Sequence, residues 1–151
     1  MSKIFLVAVD GSDHGWKALD LATDLARVSE AEVRIVHVVR DEPTPEAFRQ
    51  LAQIEGISVE ETGARYHFGR TLGDAVTQEA EARVREKGIT KVTTRVSEGK
   101  PADEILAMAR SGPADMMFLG SRGVGDLAGL FLGSVSHKVM HLAPCTCVVV
   151  R

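Results

Sequence analysis

Residues 114–136 read Ala114-Asp115-Met116-Met117-Phe118-Leu119, then Gly120-Ser121-Arg122-Gly123-Val124-Gly125-Asp126-Leu127-Ala128-Gly129-Leu130-Phe131-Leu132-Gly133-Ser134-Val135-Ser136. An apolar run of strand length gives way to five glycines in fourteen residues, Gly120 to Gly133. Gly133-Ser134 then opens a segment in which Val135, Val139 and Leu142 recur at helical spacing. Short apolar runs alternating with amphipathic helical segments are the signature of βαβ units and a parallel sheet, so the fold class is α/β.

The same alternation runs through the rest of the chain. Ile4–Val9 is a continuous apolar run that fits a strand covered on both faces. The spacing predicts a helix from Gly15 to Val28 with Ala18, Leu21, Ala22, Leu25 and Ala26 on one face and Asp13 as its cap. Glu32–Val39 is the second strand. Pro43 and Pro45 then break the chain, a short helix is expected over Glu46–Gln53, and Gly56, Gly63 and Gly69 suggest irregular backbone. A longer helix follows over Thr71–Lys87, with Leu72, Ala75, Val76 and Ala80 inward and Gly88 as its stop. Lys91–Val96 is the third strand, and Pro101–Arg110 is a helix with Asp103 and Glu104 in its first turn. Ala114–Leu119 is the fourth strand, Ser134–Leu142 the last helix and Thr146–Val150 the fifth strand. With no repeat, linker or low-complexity tract, residues 1–151 read as a single domain.

Composition narrows the function. The chain is 44% hydrophobic and 26% charged, with net charge −3 and a pI near 5.9. That balance is globular and lacks the positive field that non-specific nucleic-acid binding requires. One Trp, one Tyr and five Phe make no stacking platform for single strands. Any phosphate ligand is therefore held by local geometry. The apolar run after Met1-Ser2-Lys3 is too short for a secretory signal and ends at Asp10, and no stretch approaches the ~20 apolar residues that span a bilayer. Cys145 and Cys147 are the only cysteines. Residues two apart in a strand carry side chains roughly 6.6 Å apart, and a disulfide needs Cβ atoms about 3.8 Å apart. The pair is expected to stay reduced, and the protein is read as cytoplasmic.

The glycine-rich segment admits two readings. One is a flexible turn with Ser134 as the N-cap of the following helix. The other is an anion cradle. Glycines let successive backbone N–H groups converge, the helix at Ser134 presents free N–H groups and a positive dipole end, and Ser134, Ser136 and Arg122 add donors and charge. Asp10 likewise reads as a turn residue or as a ligand-facing acid. The segment is neither G-x4-G-K-S/T, because Pro101 follows Gly99-Lys100, nor the dinucleotide G-x-G-x-x-G, because the first strand is followed by Asp10-Gly11-Ser12-Asp13-His14-Gly15. His137 and His141 with Cys145 and Cys147 have a spacing that can bind zinc, but Pro144 separates the pairs and the cysteines belong to a strand, so no metal site is read there. Cys145 lacks an identifiable activating base, and His14, His37 and His67 are read as structural or surface residues.

Gly120-x2-Gly123-x9-Gly133-Ser134 resembles the G-2x-G-9x-G-(S/T) signature of the ATP-binding universal stress proteins. Val7-Ala8-Val9-Asp10-Gly11-Ser12, Val36-His37-Val38-Val39, Gly99-Lys100-Pro101 through Ile105, and the block from Gly133 through Pro144-Cys145 to Val150 are similar to other segments of that family. The resemblance covers nearly the whole chain apart from residues 40–70. It implies a Rossmann-like fold, an open parallel five-stranded sheet of order 3-2-1-4-5 with helices on both faces. It further implies ATP with Mg²⁺ held mainly through the phosphates. Asp10 would meet ribose hydroxyls or the metal, the backbone around Val38 the adenine edge, and Ala8 and Val9 the pocket wall. Gly120 and Gly123 would approach ribose and phosphates, with Arg122 on the phosphate tail, and Gly133, Ser134, Val135 and Ser136 would cradle the triphosphate. Some members carry proline where this chain has Ala8. The function expected is a nucleotide-dependent stress regulator with at most slow hydrolysis, in which ATP orders the segment from Arg122 to Leu132. The alternatives are an interaction module without nucleotide turnover, or a genuine ATPase or adenylyl-transferring enzyme. The apolar fifth strand, at a sheet edge, is expected to pair two copies as a homodimer.

Overall fold

The computed structural model describes residues 2–41, 63–124 and 132–151. Within them the chain runs β1 (Ile4–Ala8), α1 (Asp13–Ser29), β2 (Glu32–Arg40), α2 (Gly63–Glu86), β3 (Val92–Gly99), α3 (Pro101–Ser111), β4 (Met116–Gly120), α4 (Ser134–Leu142) and β5 (Thr146–Val150). The five strands form one all-parallel sheet in the order β3-β2-β1-β4-β5. The short helix expected over 46–53, and residues 125–131 of the glycine-rich segment, lie outside the described residues.

Alternation along β1 decides which helix covers which face. Phe5 and Val7 point to a core shared with Leu19 of α1 and Ala80 and Val84 of α2. Leu6 points the other way, into a core with Ile105 of α3 and Val139 of α4. Successive strand residues face opposite sides, so a run apolar at every position calls for helices on both faces. In the centre, Phe118 of β4 is fully buried and its ring lies 5.3 Å from that of Phe5, tilted by 49°.

Several helix faces differ from the expectation. On α1 the buried positions are Ala18, Leu19, Ala22, Thr23 and Ala26, while Leu21 and Leu25 are 38% and 41% exposed. Leu19 and small residues meet the sheet, while Leu21 and Leu25 flank the contact. The cap of α1 is Ser12 and not Asp13: its backbone is extended and its hydroxyl oxygen accepts the Gly15 N–H at 3.2 Å. Asp13 is instead the first helical residue, where its charge suits the positive helix end. On α4 Val139 is buried, Val135 half-buried and Leu142 exposed.

The largest difference concerns α2, which begins at Gly63 rather than Thr71 and runs through Gly69. Its inward positions are Val76, Thr77, Ala80 and Val84, whereas Ala75 is exposed and Leu72 is 50% exposed. Contact with the sheet explains the glycines. A Cβ at Gly69 would lie 2.5 Å from Val39 Cγ1, and one at Gly73 would lie 2.8 Å from Val96 Cγ1 and 2.9 Å from His37 Cδ2. Gly69 is read locally as irregular backbone, but it and Gly73 let α2 settle on β2 and β3. At its far end Lys87 reaches Asp24 (3.1 Å) and Asp20 (3.4 Å) of α1. Burial lowers the Lys87 pKa, and the hydrogen bond to Asp24 with the charges of both aspartates more than offsets that, leaving it raised.

Phe118→Ala should cost about 3–5 kcal/mol, as for a large aromatic emptied from a packed core. Urea unfolding of the variant reads this directly, and a loss below about 1 kcal/mol would contradict the packing described.

Candidate functional site

Neighbouring strands β1 and β4 send their following connections to opposite sides of the sheet, so a crevice opens beyond their C-terminal ends. A cavity of about 360 Å³ lies there. The end of β1 contributes Ala8, Val9 and Asp10, the end of β4 contributes Gly120, Arg122 and Gly123, and β2 contributes Val38. Val135 and Ser136 close it from the first turn of α4. Gly133 and Ser134 stand just behind this lining, Gly133 buried as the N-cap and Ser134 exposed.

Asp10 closes the turn after β1 and lines the cavity. Its Oδ1 accepts the Ser12 N–H at 3.0 Å and the Ser12 hydroxyl at 2.5 Å, closing a turn in which Gly11 has φ +85°. Its Oδ2 accepts the Val124 N–H at 3.0 Å, joining the β1 turn to the glycine-rich segment. Gly120 owes its identity to packing. A Cβ there would lie 2.8 Å from Gly15 N and from the carbonyl carbon and Cβ of His14, in the first turn of α1.

Buried Ser121 ties the end of β4 to β5, α1 and α4. Its N–H donates to the Val150 carbonyl (2.7 Å), and its own carbonyl accepts the Gly133 N–H (2.6 Å) and the Ser136 hydroxyl (2.7 Å). The Ser121 hydroxyl is 2.9 Å from Nδ1 of His14. The Ser136 hydroxyl, expected as a donor to ligand, is thus buried and turned back onto the loop. What α4 offers the cavity is its backbone end. Gly133 makes no side-chain cap, so the first-turn N–H groups of this helix have no capping side chain to satisfy them.

The opposite end of the cavity is set by strand parity. Glu32 N donates to Lys3 O of the β1 side and Val33 N to Lys91 O of the β3 side, while Val36 O accepts from Val9 N. Even-numbered residues of β2 therefore face β1. Val38 does so at the level where β1 has already turned away at Asp10, and its N–H and C=O form a donor beside an acceptor at the cavity wall. Pro101 and Ile105 of α3 also line the cavity, as do Ser12, His37, Val39, Arg40 and Leu72. The Gly99-x-Pro101-x3-Ile105 block was the available signal for the α3 pair. Leu72, assigned inward by helical period, lines the mouth instead.

Asp10 is the only carboxylate among the described lining residues. Among the described residues no three His, Cys, Asp or Glu side chains come together as a metal-holding group, and the His137, His141, Cys145 and Cys147 set does not form one. Both cysteines are free thiols. Burial, with the charge of Asp115, pushes the Cys145 thiol up, and burial, with Cys145 beside it, does the same for Cys147. No helix among the described residues is long and apolar enough to cross a membrane.

The chain belongs to the universal stress protein family, whose model matches residues 1–151. It is 37% identical over 153 residues to universal stress protein YxiE of Bacillus subtilis (strain 168), covering 97% of each chain. The structure of universal stress protein UspA from Lactobacillus plantarum aligns with a TM-score of 0.74 at 25% identity, over 99% of this chain and 97% of that one. A universal stress protein solved in complex with cAMP aligns with a TM-score of 0.70 at 26% identity, again over 99% of this chain and 97% of that one.

Gly120→Ala should displace the first turn of α1 and destabilise the protein by about 1–3 kcal/mol, the usual range for overpacking. An unchanged denaturation midpoint would show that α1 is not held against β4 in this way.

Proposed function

We propose that this protein binds ATP, with Mg²⁺ carried mainly on the phosphates, and acts as a nucleotide-dependent regulator in the stress response. One observation carries the reading. The cavity has the open backbone edge of Val38 at one end, the side-chain-uncapped start of α4 at the other, and Asp10 in the turn just past β1 between them. A donor beside an acceptor suits N1 and the 6-amino group of adenine. A helix N-terminus with Arg122 beside it suits a phosphate chain. Asp10 lies where ribose hydroxyls would fall, in competition with Val124 N–H for its Oδ2. The relative bound to cAMP supports an adenine nucleotide as the ligand class.

Efficient hydrolysis is not part of the proposal. The one carboxylate among the described lining residues is read as an acceptor that holds the turn and the glycine-rich segment, and no second acid stands beside it there to share acid–base work. Turnover of roughly 1 s⁻¹ or more would instead place the protein among ordinary enzymes. Two free thiols with raised pKa suit a reducing compartment, and we assign the protein to the cytoplasm.

The site is tested by denaturing the purified protein, identifying any released nucleotide by chromatography, and titrating ATP calorimetrically. Gly123→Val and Gly133→Val should each weaken ATP by more than about tenfold, or ~1.4 kcal/mol, with the circular dichroism unchanged. Retained affinity in both would sink the assignment. We also propose a homodimer through β5, an edge strand carrying Cys147, Val148, Val149 and Val150, all half-buried in the single chain. Sedimentation at micromolar concentration should return a dimer, and a monomeric mass would refute the pairing.

A further inference from the structure

In a regular parallel ladder a residue donates to its neighbour strand and its own carbonyl accepts the N–H two residues further along that neighbour. Val9 N donates to Val36 O at 2.9 Å, so the next rung would run from Val38 N–H to Val9 O. That carbonyl is taken by a side chain instead. His37 Nδ1 lies 2.9 Å from Val9 O. A carbonyl only accepts, so Nδ1 carries the proton and donates. The ring is 8% exposed and held by α2, with Cδ2 2.9 Å from where a Cβ at Gly73 would stand. The imidazole is locked by packing and lines the same cavity as Val9 and Val38.

We propose that His37 is a positioning residue of the nucleotide site: by donating to Val9 O it ends the β1–β2 ladder one rung early and keeps the Val38 N–H turned to the cavity as a reader of the base. This rests on the adenine reading above for its ligand, but not for its geometry. Without the imidazole, Val9 O would take the Val38 N–H, β1 and β2 would zip one rung further, and the donor would be withdrawn. Asparagine places its amide nitrogen where the histidine has Nδ1, so it should replace His37, while leucine should not.

Amide hydrogen exchange of the nucleotide-free protein tests the geometry. The Val38 amide should exchange at least about tenfold faster than those of Val36 and His37, which face paired strands. In His37→Leu it should become protected, and in His37→Asn it should stay fast. Equal protection of Val36 and Val38 in the unmodified protein overturns the proposal, and needs no variant to fold. For the base, ATP is compared with 1-deaza-ATP, which lacks the N1 acceptor. The unmodified protein and His37→Asn should prefer ATP by about tenfold, roughly one hydrogen bond, and His37→Leu should bind the two alike. An undiminished preference in a folded His37→Leu also overturns it. Failure of the unmodified protein to bind ATP at all would refute the nucleotide reading, while the exchange of Val38 would still decide the role of His37.

Discussion

The first turn of α1 lies so close to the last residue of β4 that no side chain fits at Gly120. This contact sets the width of the crevice. It brings the Asp10–Ser12 turn beside Gly123 and Val124, allowing one carboxylate to hold both. It also brings His14 to Ser121, whose backbone fixes β5 on one side and the start of α4 on the other. A substitution that pushed α1 outward would loosen the Asp10–Val124 and His14–Ser121 bonds together, because both reach from the start of α1 to the segment after β4.

The site built on that contact is mostly backbone. The N-terminus of α4, the Val38 edge and the glycines after β4 provide polar groups that cannot change rotamer. Preorganised groups cost little to arrange when ligand arrives. Side chains act mainly one step back: Ser136 on the loop carbonyl, Asp10 on the Val124 amide, Ser12 on the α1 cap and His37 on the Val9 carbonyl.

Some of this was legible in residue order. Strand identities, the parallel sheet and the place of the cavity beyond β4 followed from apolar runs and from glycine spacing, and nine of the eleven expected binding residues line that cavity. Helix faces were read less well. Leu21, Leu25 and Leu72 have the period of a core stripe, yet the sheet takes Leu19 with Ala, Gly and Thr at the closest positions and leaves those three leucines at the edge. Hydrophobicity alone ranks every leucine inward, whereas the available distance admits only one of these four.

Glycine shows most plainly where each level decides. Spacing along the chain determined that Gly120, Gly123 and Gly133 belong to one loop between a strand and a helix, since local backbone rules act on neighbours. Only the tertiary structure decided that Gly120 makes room for α1, that Gly69 and Gly73 make room for β2 and β3, and that His37 faces Val9. Those partners are 23 to 106 positions apart, and which of them meet depends on strand order and register, which no local pattern encodes.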